Sequence, residues 1–285
     1  MQRTNLNFGL NFGLKSGLKS GLKSGFNFKV SVKAIVLTLL AIATFTFVVF
    51  QIPQGLYSQT IPADLISKYN LAVADAKVAE LDEVSQDLVA ITKDNKFLIW
   101  QNKTAPKDKL LVATWTSYTG YDNQFGQPIT TSRQTWVTVA PELQNFCKEK
   151  LKDVTNQSDR TLRLEQLLGL PPNNGKTRFV EFWVNPENLF RPSADSEITD
   201  RTAFGEFTQI PLYPDATIKL SYLQWFEKLR SQSYNATGGY PWTRMGYTYD
   251  WGNPKSKIGL SEFVIDTGAA IEVKSVQTTD KYCVS

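Results

Sequence analysis

Residues 34–50 read AIVLTLLAIATFTFVVF, seventeen positions without a charge, and Ile52 extends the run to nineteen with Gln51 as its one strongly polar member. At 1.5 Å of rise per residue, a helix of that length is long enough to cross a bilayer core of roughly 30 Å. The arm before it carries Arg3, Lys15, Lys19, Lys23, Lys29 and Lys33, and the first carboxylate of the chain is Asp64. Positive charge stays on the cytoplasmic side, so the arm is expected inside and everything beyond Pro53 outside. A cleaved signal peptide is the competing reading, with Leu56-Tyr57-Ser58 as a poor cleavage site. The run is longer than a signal peptide's apolar region, which favours an uncleaved anchor.

This asymmetry also explains the charge. The chain is formally +4 with 31 basic and 27 acidic residues, and six of the basic ones lie in the arm. Residues 34–285 therefore hold 25 basic against 27 acidic, a net of −2. The excess describes topology and lipid-headgroup attraction, and no nucleic-acid partner is expected. Within the arm, NFGL occurs twice and LKSG three times. Such glycine-rich repetition cannot build a core.

Four segments follow: a disordered basic cytosolic arm over 1–33, a transmembrane helix over 34–52, a linker over 53–62 bounded by Pro53 and Pro62, and an extracytoplasmic domain over 63–285. The last has the size of one large domain. Apolar periodicity predicts a helix over 64–85 and a hairpin of 88–92 with 97–100 around Lys93-Asp94-Asn95-Lys96. Strands are predicted at 110–116, 135–140, 178–184, 261–265 and 270–276. Helices are predicted after Pro141, over 160–168 and over 218–231. Strands and helices do not alternate regularly, so the expected class is α+β.

The chain has no histidine. That removes Ser–His–Asp and Cys–His hydrolases, His-ligated metals and imidazole acid–base chemistry. Two cysteines cannot supply a Cys₄ metal site, and no phosphate-binding glycine loop is present; no metal or bound cofactor is expected. Cys147 and Cys283 both lie in the outside portion, where an even count favours a disulfide between them.

Two segments stand out as candidate sites. Residues 238–252 pack Tyr240, Trp242, Tyr247, Tyr249 and Trp251 among glycines, with Arg244 and Asp250 as the only charges. Aromatic faces with a few fixed polar groups suit sugar rings. The alternative is an aromatic core hairpin, in which Tyr247, Tyr249 and Trp251 share a face by period-two alternation. Residues 185–200 form a Pro-rich charged loop in which Arg191 could fork onto a carboxylate or phosphate; its alternative partner is Asp195, Glu197 or Asp200.

The phrases LLGLPPN at 167–173, FRP at 190–192, YPWTRMGYTYDWG at 240–252 and GLSEFV at 259–264 resemble a group of uncharacterised exported proteins of cyanobacteria and other microbes. That resemblance spans roughly 108–283, implies an extracytoplasmic domain, and carries no activity with it. EFVIDTGA at 262–269 is similar to the closing strand of ADP-ribosyltransferases and NAD glycohydrolases, where a catalytic Glu starts a strand that runs into a Pro-x-Gly turn. The similarity implies Glu262 as the catalytic acid and Arg191 as the arginine that grips the dinucleotide phosphates. One of Tyr247 or Tyr249 would be the middle aromatic. Asp266 stands where that family has Pro, and no acid lies two positions before Glu262. Two functions are therefore expected: a membrane-anchored module that binds a glycan or another envelope component through 238–252, or an enzyme that takes NAD as substrate through Arg191 and Glu262.

Overall fold

The computed structural model describes residues 61–102, 108–209, 219–235 and 237–284. These belong to one compact unit, Thr60–Ser285. The basic arm and the charge-free run lie outside the described residues. Among the described residues, no helix is long and apolar enough to cross a membrane.

The chain enters through α1 (Ala63–Asp75) and a 3₁₀ turn at Leu81–Glu83. Then come β1 (Leu110–Thr116), β2 (Pro128–Thr130), β3 (Thr135–Val139), α2 (Ala140–Lys150), α3 (Gln157–Leu167), β4 (Arg178–Val184) and β5 (Leu189–Phe190). After α4 (Leu220–Ser233) follow β6 (Tyr247–Tyr249), β7 (Ile258–Ser261), β8 (Phe263–Ile265), β9 (Ala270–Thr278) and α5 (Thr279–Val284). Seven strands form one sheet in the order β2-β9-β4-β1-β3-β8-β5, and β6 pairs with β7 beside it. Every pairing is antiparallel. The fold is α+β with a mostly sheet core, as the element pattern implied.

The central strands are apolar on both faces because both faces are covered. Leu110 and Val112 of β1 join Val180, Phe182 and Val184 of β4 in one core layer. Leu111, Ala113 and Trp115 point the other way, onto Leu143, Cys147, Leu164 and Phe179. Each such side chain contributes on the order of 1.5–3 kcal/mol by leaving water. Helix α2 meets this second layer through Ala140, Leu143 and Cys147, spaced for one helical face. Helix α3 begins at Asn156, whose side chain accepts from the Ser158 N–H, and is followed by Gly169 at φ 63°.

The sheet contains a break that matters for everything below. Strand β1 pairs with β4 along all seven residues but with β3 only at Val112↔Val139 and Ala113↔Thr138. Continuing that register would set Thr114 against Val137, Trp115 against Trp136 and Thr116 against Thr135. Those pairs do not form, while on its other edge β3 pairs with β8 through Thr135↔Ile265, Trp136↔Val264 and Val137↔Phe263. The sheet is therefore split into a β1 half and a β3 half that share only the base of a V.

Two local expectations fail. The helix over 64–85 stops at Asp75, and Leu71, Val78 and Leu81 stay more than half exposed; the buried stripe is Tyr69, Ala72 and Val73. The hairpin of 88–92 with 97–100 does not form. Leu88 N–H donates to Arg201 O and Ile91 N–H to Ile198 O, so that segment takes its backbone partners from a distant loop.

Cys147 of α2 and Cys283 of α5 are joined by a disulfide across 136 residues of sequence. It ties the last helix onto the β1 half, where Tyr282 packs on Phe179 at 4.6 Å between ring centroids. Replacing both cysteines by serine should lower stability by about 2–4 kcal/mol. The urea-unfolding midpoint of oxidised wild-type protein against that of the double variant measures it.

Candidate functional site

A cavity of about 720 Å³ occupies the split between β1 and β3. All six residues that the broken ladder leaves unpaired, Thr114, Trp115, Thr116, Thr135, Trp136 and Val137, line it. Tyr118 and Tyr240, each about half exposed, stand at its edge, while Trp242 is 5 % exposed. The wall thus alternates aromatic faces with threonine hydroxyls.

Each tryptophan is fixed. Trp115 stacks on Phe179 at 5.6 Å and its indole N–H donates to Thr279 Oγ1 at 2.9 Å. Trp136 meets Trp242 edge-on at 6.3 Å, and the Trp242 indole N–H donates to Pro192 O at 3.0 Å. The Trp242 carbonyl accepts from the Tyr234 hydroxyl at 2.6 Å. Trp115 and Trp242, each 5 % exposed, form a rigid backing, and the half-buried Trp136 meets the cavity without first having to be ordered.

Glu262 enters the cavity from the β3 half. Strand alternation sends Phe263 and Ile265 into the core layer shared with β4 and turns Glu262 to the opposite face. Its backbone N–H donates to Gly246 O at 2.9 Å. Its carboxyl makes no hydrogen bond or ion pair to another described residue, and burial alone pushes it up to about 8. It is the one acid among the described residues that line the cavity. Lys176, on the loop between α3 and β4, also lines it, and burial pushes its amine down.

The other residues singled out from the sequence are placed differently. Arg191 is fully buried away from the cavity: its Nε donates to Glu197 O at 2.9 Å and its Nη2 to Asp200 O at 3.1 Å. Its guanidinium lies 5.2 Å from the Phe263 ring, on the face opposite Glu262. No hydrogen bond or ion pair joins Arg191 to Glu262. Arg244, at φ 62° and fully buried, donates to Gly205 O, the Tyr234 hydroxyl, Lys77 O and Glu206. Asp250 accepts both guanidinium arms of Arg163, at 2.9 and 2.6 Å. The Tyr247 hydroxyl donates to Glu83 O at 2.9 Å, and that of Tyr249 to Asp75 Oδ2 at 2.8 Å. Most of 238–252 is therefore the aromatic hairpin of the alternative reading. Tyr240, Pro241, Trp242, Thr248 and Tyr249 are the parts that reach the cavity. The sequence reading missed Trp115, Tyr118, Trp136 and Lys176. A signal existed in the two strands LLVATWT and TWVTV, each with a tryptophan facing away from its valines.

Neither family models, curated proteins nor solved structures match this chain. What the site can do rests on its own chemistry. An open cavity with aromatic faces, hydroxyls and one uncharged carboxyl at neutral pH is suited to holding an uncharged, hydroxyl-bearing ligand. Glycoside hydrolysis by the usual pair of carboxylates needs a second acid, and the described lining has none.

Two measurements check these assignments. Arg191→Met leaves the carbonyls of Glu197 and Asp200 without their donor and should cost about 3 kcal/mol or more, read as a fall in the urea midpoint. For Glu262 the folded-state value lies above the ordinary 4.5, so the folded protein holds a proton that the unfolded chain has released. Stability should therefore fall as pH rises from about 5 to about 8 and level off above. Glu262→Gln should remove that part of the slope, seen as the difference between the two thermal-midpoint profiles.

Proposed function

We propose that this chain is a membrane-anchored extracytoplasmic module that binds a glycan of the cell envelope in the cavity between the two sheet halves. The observation that carries the reading is the wall itself: Trp115, Tyr118, Trp136, Tyr240 and Trp242 interleaved with threonine hydroxyls around about 720 Å³. A sugar ring has an apolar face of C–H groups and a rim of hydroxyls, so it needs both kinds of surface at once. The volume lies inside the roughly 300–1,000 Å³ of small-ligand sites.

The charge-free run and the one-sided basic arm support the anchor and its direction. The disulfide supports an oxidising compartment outside the cytosol. The bilayer and an envelope glycan are then the partners.

The NAD-consuming alternative keeps one supporting observation, the Glu262 carboxyl in a cavity. Two others weigh against it. Arg191, which would grip the phosphates, is engaged by its own loop. An oxocarbenium-like centre needs a carboxylate beside it, and a carboxyl pushed up to about 8 is mostly uncharged at neutral pH.

The test uses the full chain in lipid nanodiscs, titrated with soluble glucan, N-acetylglucosamine and mannan oligomers and with NAD while tryptophan fluorescence is read. Saturable binding of at least one oligosaccharide is expected. Tyr240→Ala should weaken it about 2- to 10-fold, the worth of one aromatic stacking contact. No saturation with any sugar would remove the binding reading, and nicotinamide release from NAD would replace it.

A further inference from the structure

Glu262 is surrounded by groups that are all occupied elsewhere. Extending the β3–β8 register by one step beyond Val137↔Phe263 sets Thr138 beside it, yet the Thr138 hydroxyl donates to Glu142 at 3.1 Å. The preceding residue, Ser261, gives both its N–H and its hydroxyl to the same Glu142 carboxylate. The Tyr249 hydroxyl is bonded to Asp75, and Arg191 lies behind Phe263. Arg133, from the segment before β3, sits 5.9 Å over the Tyr118 ring. Lys176, Tyr118, Tyr121 and Tyr240 complete the titratable lining, and none bonds the Glu262 carboxyl. Glu262 is half-buried, so its carboxyl is left to bond whatever occupies the cavity.

Resting on the glycan-binding reading, we propose that Glu262 selects the ligand: its carboxyl, in the cavity lining with no partner among the described residues, hydrogen-bonds a neutral sugar oxygen, so that the cavity takes uncharged sugars and disfavours cationic ones. The protonated form has both an O–H to give and a carbonyl oxygen to receive, which matches a sugar hydroxyl or an acetamido carbonyl. A cationic amino sugar would instead require Glu262 to ionise, and Lys176 and Arg133 share the same lining. Because burial holds the carboxyl protonated up to about pH 8, the donor is present at neutral pH and is lost above it. Affinity for a neutral sugar then declines as pH rises.

The probes are the neutral N-acetylglucosamine trimer and its deacetylated, cationic counterpart, titrated into the full chain in nanodiscs from about pH 6 to about pH 10. With wild-type protein, the neutral trimer should bind more tightly than the cationic one at pH 6. Its affinity should fall beyond about pH 8 and level off about 2- to 10-fold lower once Glu262 is ionised. Glu262→Gln keeps a donor and cannot titrate, so the decline should vanish. Glu262→Leu should weaken binding at pH 6 about 2- to 10-fold. A tighter cationic trimer, an affinity that rises or stays flat with pH in wild-type protein, or a decline that survives in Glu262→Gln would overturn the assignment while leaving glycan binding in place. Absence of binding by either trimer at every pH, alongside failure of the wider sugar panel, would remove both readings.

Discussion

Trp115 and Trp136 are held by opposite halves of the molecule, and this keeps the sheet open. The register at the base of the V would bring these two indoles face to face on adjacent strands, a pairing that ordinarily stabilises a sheet. Each has a stronger claim elsewhere. Trp115 is stacked on Phe179 and hydrogen-bonded to Thr279, and so belongs to the layer closed by α2, α5 and the disulfide. Trp136 meets Trp242, which is bonded to Pro192 and packed on Phe226 of α4. Satisfying both clusters pulls β1 and β3 apart beyond Ala113 and Thr138. A cleft made in this way has β1 and β3 as two of its walls and is completed by the connecting segments that carry Tyr118, Arg133, Lys176 and Tyr240.

Each half is closed by a different device. On the β1 side it is covalent and aromatic: Cys147–Cys283, with Tyr282 on Phe179 and the buried Glu181 accepting from Gln144 and Ser275. On the β3 side it is cationic. Arg191 and Arg244 are both fully buried, and each gathers carbonyls from segments that have little regular structure of their own. A guanidinium has five donors in a fixed plane, so one side chain can organise several loop carbonyls at once. Taking such a charge out of water is unfavourable unless those bonds are made. The loops and the arginines therefore order each other.

How far this was legible in the sequence follows from which interactions are local. The strands at 110–116 and 178–184 stand where β-branched and aromatic residues put them, because both their faces are buried. The helix opened by Pro141 also forms, and its apolar spacing is a property of the segment itself. Residues 88–100 carry a strand-like pattern and a turn, yet Leu88 and Ile91 find their partners near Arg201 and Ile198, which nothing within the segment announces. Helix α1 ends early because its buried stripe is Tyr69, Ala72 and Val73, while Leu71 and Leu81 look outward. At the site, Glu262 and Trp242 were visible as unusual residues. The cavity they share was not, since it exists only because two strands far apart in sequence decline to pair.

The arginines that attracted attention for ligand chemistry act on the site through the backbone. Arg244 sits at φ 62° and Gly246 at φ 73°, a turn closed by Thr243 Oγ1 donating to Tyr247 O at 2.7 Å. A side-chain carbon on Gly246 would lie 2.5 Å from Cδ of Arg191, so this position must be glycine for the buried guanidinium to pass beneath the turn. The same Gly246 presents its carbonyl to the N–H of Glu262. The path from Arg191 through Gly246 to Glu262 thus sets the height at which the Glu262 carboxyl meets the cavity. Burying two arginines and three aromatic hydroxyls around a short turn is an expensive way to hold a loop. It becomes intelligible when the quantity being held is the position of Glu262, the residue between β7 and β8 whose hydrogen-bonding capacity is directed at what enters the split.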